Sequence, residues 1–221
     1  MALPPSSKQR IRFLFVAAML IYALAPSLDV GFVSDDAIRS LREGFQAINS
    51  LDRLEYLSRL HSELLHGAGR FMPVHFLLYT TTWVSSLTAH RVLSLVLVLL
   101  AIALTSLLVK RMFESIDLAL GMAALLPMLI QLRAYHDPIL AFGGFLAGVT
   151  ILNVVSLLAL EWAVRSRQWA GFVVSALTYL LALWSYEVSY LLLPIHVLIA
   201  VRGRFATNSR FLGPMTVALG F

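Results

Sequence analysis

Apolar runs separated by short polar breaks dominate the chain, at roughly residues 11–31, 72–88, 91–109, 116–134, 138–160, 169–186, 188–201 and 211–221. A membrane-spanning helix needs about 20 apolar residues, with a range of about 17–25. The pattern therefore predicts a polytopic helical bundle. One segment differs: Ile38, Leu41, Phe45, Ile48, Leu51, Leu54, Leu57, Leu60 and Leu64 recur every three or four positions, with Arg, Asp and Glu between them. That is the period of an amphipathic helix, or of two helices broken near Ala47–Ser50, lying in the membrane interface. Gly67 and Gly69 are expected to end it. Pro73 then opens a short apolar helix, Val74 to Leu87, with Tyr79 and Trp83 as interfacial aromatics. A helix resting on lipid or on a partner subunit explains the same pattern.

Composition agrees with a bilayer protein. Hydrophobic residues make up 59% and charged residues 13%, with a mean hydropathy of +0.82, whereas soluble domains average about 25% charged residues. The net charge of +5 does not indicate nucleic acid, because the basic residues fall in short clusters between apolar runs, as orienting loop charges do. There is no cysteine, hence no disulfide framework, thiolate nucleophile or thiolate metal site. The first run, from Ile11 to about Val33, is too long for a signal-peptide core and lacks a small-residue cleavage pattern behind it, so it reads as a retained span.

The basic clusters choose the topology. If all eight runs crossed, Lys110 and Arg111, then Arg165 with Arg167, then Arg202 with Arg204 and Arg210, would face away from Lys8, Arg10 and Arg12, against the positive-inside rule. Letting 72–88 lie at the outer interface repairs every cluster at once. Ten Lys/Arg then share the cytoplasmic side with three acids, Glu114, Asp117 and Glu161. The expected architecture is a single all-α transmembrane domain over 1–221: six full spans, a partial seventh from Phe211, and an extracytoplasmic loop over 32–90. The final run has eleven residues where about 20 are needed, so the chain is expected to continue beyond Phe221.

With this topology Asp35, Asp36, Arg70, Arg91, Arg133, His136, Asp137 and Glu187 all lie on the extracytoplasmic face. Glycosyl transfer from a sugar phosphate needs a carboxylate to take the acceptor hydroxyl's proton, and cationic groups to stabilise the departing phosphate. Asp35 or Asp36 supplies the first. Arg70, Arg91, Arg133 and His136 are candidates for the second, because guanidinium forks match phosphate geometry. Each residue also has a plainer explanation. Ser34, Asp35 or Asp36 can cap the amphipathic helix, and Asp137-Pro138 is a good helix start. Glu187 opens the sixth span, where the helix dipole favours an acid. Arg91 and Arg133 can be snorkelling anchors, and His136 an interfacial polar residue. Asp35, Asp36, His136 and Asp137 offer oxygen and imidazole ligands that could hold a divalent metal, yet no spacing demands one, and the residues name no cofactor.

Ser34-Asp35-Asp36 after the first span, the amphipathic segment, Gly69-Arg70-Phe71-Met72-Pro73 before a further interfacial helix, and Arg91-Val92-Leu93 opening the second span resemble the N-terminal module of GT-C-type glycosyltransferases. These are the polyprenyl-phosphate-sugar-dependent enzymes that include protein O-mannosyltransferases and the aminoarabinose transferases of lipid A. The likeness continues through Pro127 to Asp137, where Arg133 and Asp137 loosely match an Arg-x-x-x-Asp-like arrangement. It ends at Leu183-Trp184-Ser185-Tyr186-Glu187, similar to a Ser-x-Glu turn. The resemblance implies an isoprenoid-phosphate sugar as donor, with membrane lipid and the lipid-linked sugar as partners. It further implies a cavity on the outer face; the basic clusters put the N-terminus in the cytoplasm, and a bacterial inner-membrane location is expected. A transporter would carry ionisable residues in mid-span or broken helices in paired halves. Here the charges crowd the outer ends. A non-catalytic scaffold or transporter subunit is the alternative reading.

Overall fold

The computed structural model describes residues 7–28, 53–68, 74, 87–131 and 144–206. All secondary structure among them is helical. Helix α1 (Ser7–Leu24) runs into a 3-10 turn (Ala25–Leu28); α2 spans Arg53–Ala68, α3 Leu87–Phe113, α4 Ile116–Gln131, α5 Phe145–Ser166 and α6 Trp169–Ser185. A second 3-10 stretch (Glu187–Leu192) leads into α7 (Leu193–Ala206). Three segments are long and apolar enough to cross a membrane, Ser7–Leu28, Thr88–Phe113 and Phe145–Ser166, while Ile116–Met128 and Trp169–Ser185 are shorter apolar helices.

The chain divides into two compact units. The first contains α1, α3, α4 and the opening residues of α5. Its apolar core is Val16, Leu24, Val98, Ile102, Ala123 and Ala147. The α3–α4 hairpin turns on Glu114 and Ser115. Glu114 has φ 54°, a left-handed end to α3, and the Ser115 hydroxyl accepts the Leu118 N–H at 3.3 Å, an N-cap for α4. Lys110 and Arg111 in the last turn of α3, and Asp117 in the first turn of α4, complement the helix dipoles. Arg12 forms an ion pair with Asp117. The start of α1, the end of α3 and the start of α4 therefore share one end of this unit. The end of α1, the start of α3 and the end of α4 share the other.

The second unit holds α2, most of α5, α6, the 3-10 stretch and α7. Arg167, with φ 57°, ends α5 as Glu114 ends α3. Helices α5 and α6 then approach through small residues: a Cβ on Gly171 would meet Ala163 Cβ and the Trp162 ring at 2.7 Å and Ala159 O at 2.9 Å. Small side chains of this kind let helices pack backbone to backbone where lipid offers no hydrophobic drive between them.

Two expectations change. The run 188–201 is not one helix: Tyr186 is extended, residues 187–192 wind as 3-10, and the α-helix starts only at Leu193. Proline explains the break, because Pro194 has no N–H for Tyr190 O and its ring would crowd that carbonyl in an α-helix. The Leu193 N–H takes Tyr190 O instead. Helix α2 forms within the amphipathic segment, passing through Gly67 and ending at Ala68. Residues 38–52 and 211–221, and all but Val74 of the run 72–86, lie outside the described residues.

Candidate functional site

Asp35, Asp36, Arg70, Arg133, His136 and Asp137 lie outside the described residues; Arg91 and Glu187 lie within them. Arg91 stands in the first turns of α3, at the end of the first unit opposite the Arg12–Asp117 pair. It is 2% exposed, beside His90 at 0% and Ser94 at 1%. His90 and Ser94 are four residues apart and so share a helix face. A snorkelling anchor keeps its guanidinium in water, and this burial does not fit that role. The Ser94 hydroxyl has no hydrogen-bond partner among the described residues.

Glu187 is exposed and opens the 3-10 stretch of the second unit rather than a spanning helix. One backbone bond ties its surroundings to an earlier motif: the Val74 N–H donates to Trp184 O at 3.2 Å. Val74 follows the Gly69–Pro73 segment in sequence, and Trp184 belongs to the segment ending at Glu187. Among the described residues no three His, Asp or Glu side chains gather as metal ligands would.

The second unit also contains a polar constellation that the sequence reading passed over. Asn153 and Ser156 on α5, Ser175 on α6, Ser189 in the 3-10 stretch and His196 on α7 are all buried. Leu192 O lies 3.0 Å from His196 Nδ1. A carbonyl only accepts, so Nδ1 carries the hydrogen and Nε2 is left as an acceptor in the neutral ring. The Ser156 hydroxyl is 2.9 Å from Nε2 and 2.8 Å from Ser175 O. One hydroxyl proton thus serves two acceptors, while Ser175 Oγ, 3.1 Å away, can donate to Ser156 in turn. The Tyr179 ring packs on His196 with centroids 4.3 Å apart, and its hydroxyl donates to Ser189 O at 3.2 Å.

Asn153 extends the constellation along α5. Its amide nitrogen donates to Val149 O at 3.0 Å and to Ser189 Oγ at 2.9 Å, and Ser189 passes its own proton to Ala182 O at 3.2 Å. Flipping the amide would set two oxygens against each other at Val149, so this orientation holds. Asn153 Oδ1 then remains without a hydrogen-bond partner among the described residues, at 5% residue exposure. A buried acceptor in this state costs about 1–3 kcal/mol, which a donor would recover. Chemically the arrangement can pin three helices in register, pass a proton between imidazole and hydroxyl, or accept a donor at Asn153.

The signal was present in the sequence as Asn153 and His196 inside apolar runs, where polar side chains face protein rather than lipid. Neither residue carries a fixed charge, so neither stands out in the charge pattern. Comparison with known protein families, with curated proteins and with solved structures finds no match.

Proposed function

We propose that the chain is a membrane glycosyltransferase module that moves a sugar from an isoprenoid-phosphate carrier to an acceptor on the extracytoplasmic face, with its N-terminus cytoplasmic. The observation that carries this reading is Arg91: a guanidinium buried at 2% exposure, at the end of the first unit away from the basic anchors. The end of α1 shares that end, and Asp35 and Asp36 follow Leu28 by seven and eight residues in sequence. Arg133, His136 and Asp137 follow the end of α4. In the reaction, Asp35 or Asp36 takes the proton of the acceptor hydroxyl as its oxygen bonds to the anomeric carbon. The carbon–oxygen bond to phosphate breaks, and the phosphate leaves with the electron pair. Arg91, with Arg70, Arg133 and His136, stabilises that charge.

Asp35→Asn and Asp36→Asn test it in membranes supplied with isoprenoid-phosphate sugars. Asn caps helices about as well as Asp, so a pure capping role predicts little change, whereas loss of a general base lowers transfer by about 100-fold to 10,000-fold at one position. Arg91→Lys should also lower transfer, because a point charge does not reproduce the guanidinium fork. Near-normal transfer in both single aspartate variants and in the double variant removes the acidic pair from the mechanism. Topology has its own test: cysteines placed at Ser58 and at exposed Tyr190 should label from outside intact cells, and one at Ser166 only after permeabilisation.

The buried polar constellation favours a second reading, a transporter subunit or scaffold. Intramembrane polar residues mark relays and pathways as well as helix contacts. If the constellation moves protons, His196→Gln abolishes proton flux in sealed vesicles while helix content is kept. If it only joins helices, the same change lowers stability and leaves flux at background.

A further inference from the structure

The first unit carries two apolar hollows at its basic end. One, of about 380 Å³, lies among α1, α3 and α4, with Leu20, Ile102 and Leu107 in its walls and Lys110 at its edge. The other, of about 360 Å³, lies between α1 and α4, with Arg10 and Gln9 at its rim. Phe13, Ile116 and Leu120 line both, so the two hollows adjoin across these side chains. Phe13 is 65% exposed. Each volume falls within the range of small-molecule sites, about 300–1,000 Å³.

The charges at the rim differ in a telling way. Arg12 is held by Asp117. Arg10 and Lys110 have no ion-pair partner among the described residues, although each stands beside an apolar hollow. Five basic residues at this end, Lys8, Arg10, Arg12, Lys110 and Arg111, face two acids, Glu114 and Asp117. Cations above apolar hollows between membrane-type helices complement a ligand with one anionic head and two hydrocarbon chains.

We propose that this end of the first unit binds one anionic diacyl phospholipid, a chain in each hollow on either side of Phe13 and the phosphate between Arg10 and Lys110. The lipid seats α1 on the α3–α4 hairpin and closes grooves that the protein's own side chains leave open. The site is independent of sugar transfer and lies at the opposite end of the unit from Arg91.

The test uses the full chain in micelles, titrated with phosphatidylglycerol or with phosphatidylcholine of the same chains, read by native mass spectrometry and by thermal unfolding. Phosphatidylglycerol should bind about 30-fold tighter, each cation contributing about fivefold, and should raise Tm. Added salt should shrink the preference. Arg10→Gln with Lys110→Gln should remove it while phosphatidylcholine binding stays the same. Ala103→Trp, which fills the larger hollow and leaves both cations, should weaken both lipids. Equal binding of the two lipids by the unaltered chain overturns the proposal. So does a preference that survives in the double variant, or glycerol phosphate alone reproducing the shift, which would make the site one for the headgroup and not the chains.

Discussion

Between α1, α3 and α4 the first unit places Val16, Leu24, Val98, Ile102 and Ala123, and an ion pair between helices, Arg12 on Asp117, sits at one end. Between α5, α6 and α7 the second unit instead places Ser156, Ser175 and His196, with Ser156 hydrogen-bonded to both of the others. The two sets of helices look alike as sequence, yet they are joined by different forces. In lipid, apolar contact between helices gains little over contact with acyl chains, so it sets register weakly. A hydrogen bond in the same medium has one geometry, and a partner lost there is not replaced by water. The first unit accordingly has open apolar hollows among its described residues, and the second is pinned at defined points.

The largest expected contrast lies at two glycines. Gly171→Leu in the second unit drives a side chain into Ala163, Trp162 and the Ala159 carbonyl. The expected loss of stability is about 3 kcal/mol, the upper part of the overpacking range. In α4 a Cβ on Gly121 meets no described atom within 4 Å, and Gly121→Leu should gain up to about 1 kcal/mol through helix propensity. Thermal unfolding in detergent measures both, and equal losses would break the contrast between the units.

A smaller effect sharpens it. In a double-mutant cycle, Ser156→Ala with His196→Ala should show a coupling of about 0.6 kcal/mol and at most about 1.7 kcal/mol, the range found for hydrogen bonds between membrane helices. Ser106→Ala in the first unit removes only a bond to its own helix, to Ile102 O at 2.8 Å, and should change stability by less than about 0.5 kcal/mol. A cycle with zero coupling would mean that the Ser156–His196 bond does not help to hold α5 against α7.

At the hairpin turns the two units agree. Arg167→Gly should gain about 0.5–1 kcal/mol, because glycine adopts the left-handed conformation without the clash that Cβ brings. Glu114→Gly should gain a similar amount, since Glu114 has the same left-handed backbone, φ 54°. Destabilisation by both would show that these turns depend on their side chains rather than on backbone conformation.

Much of the helix inventory was readable in advance, because apolar length and basic punctuation are local properties. The runs at 11–31, 91–109, 116–134 and 169–186 correspond to α1, α3, α4 and α6. The break at 187–192 was signalled by Pro194 but read as part of a span, since a run of apolar residues does not distinguish 3-10 from α winding. The candidate site was legible only as residue types. Arg91 was named for its guanidinium, but its burial is a property of the packed unit. His196 and Asn153 were not named because their partners, Ser156 on another helix and Ser189 in the 3-10 stretch, stand 40 and 36 residues away.

By itself, then, the chain's order of residues determined that it forms apolar helices of membrane-spanning length, where those helices turn, and which ends carry the basic charge. These follow from backbone satisfaction, which in lipid requires helix, and from charge that stays out of hydrocarbon. Only the tertiary structure decided which helices meet, that Arg12 finds Asp117, that Val74 meets Trp184, and that one set of helices is joined by hydrogen bonds while another leaves hollows beside Arg10 and Lys110. Partners distant in sequence are brought together by shape and by small residues such as Gly171, and no local pattern encodes that encounter.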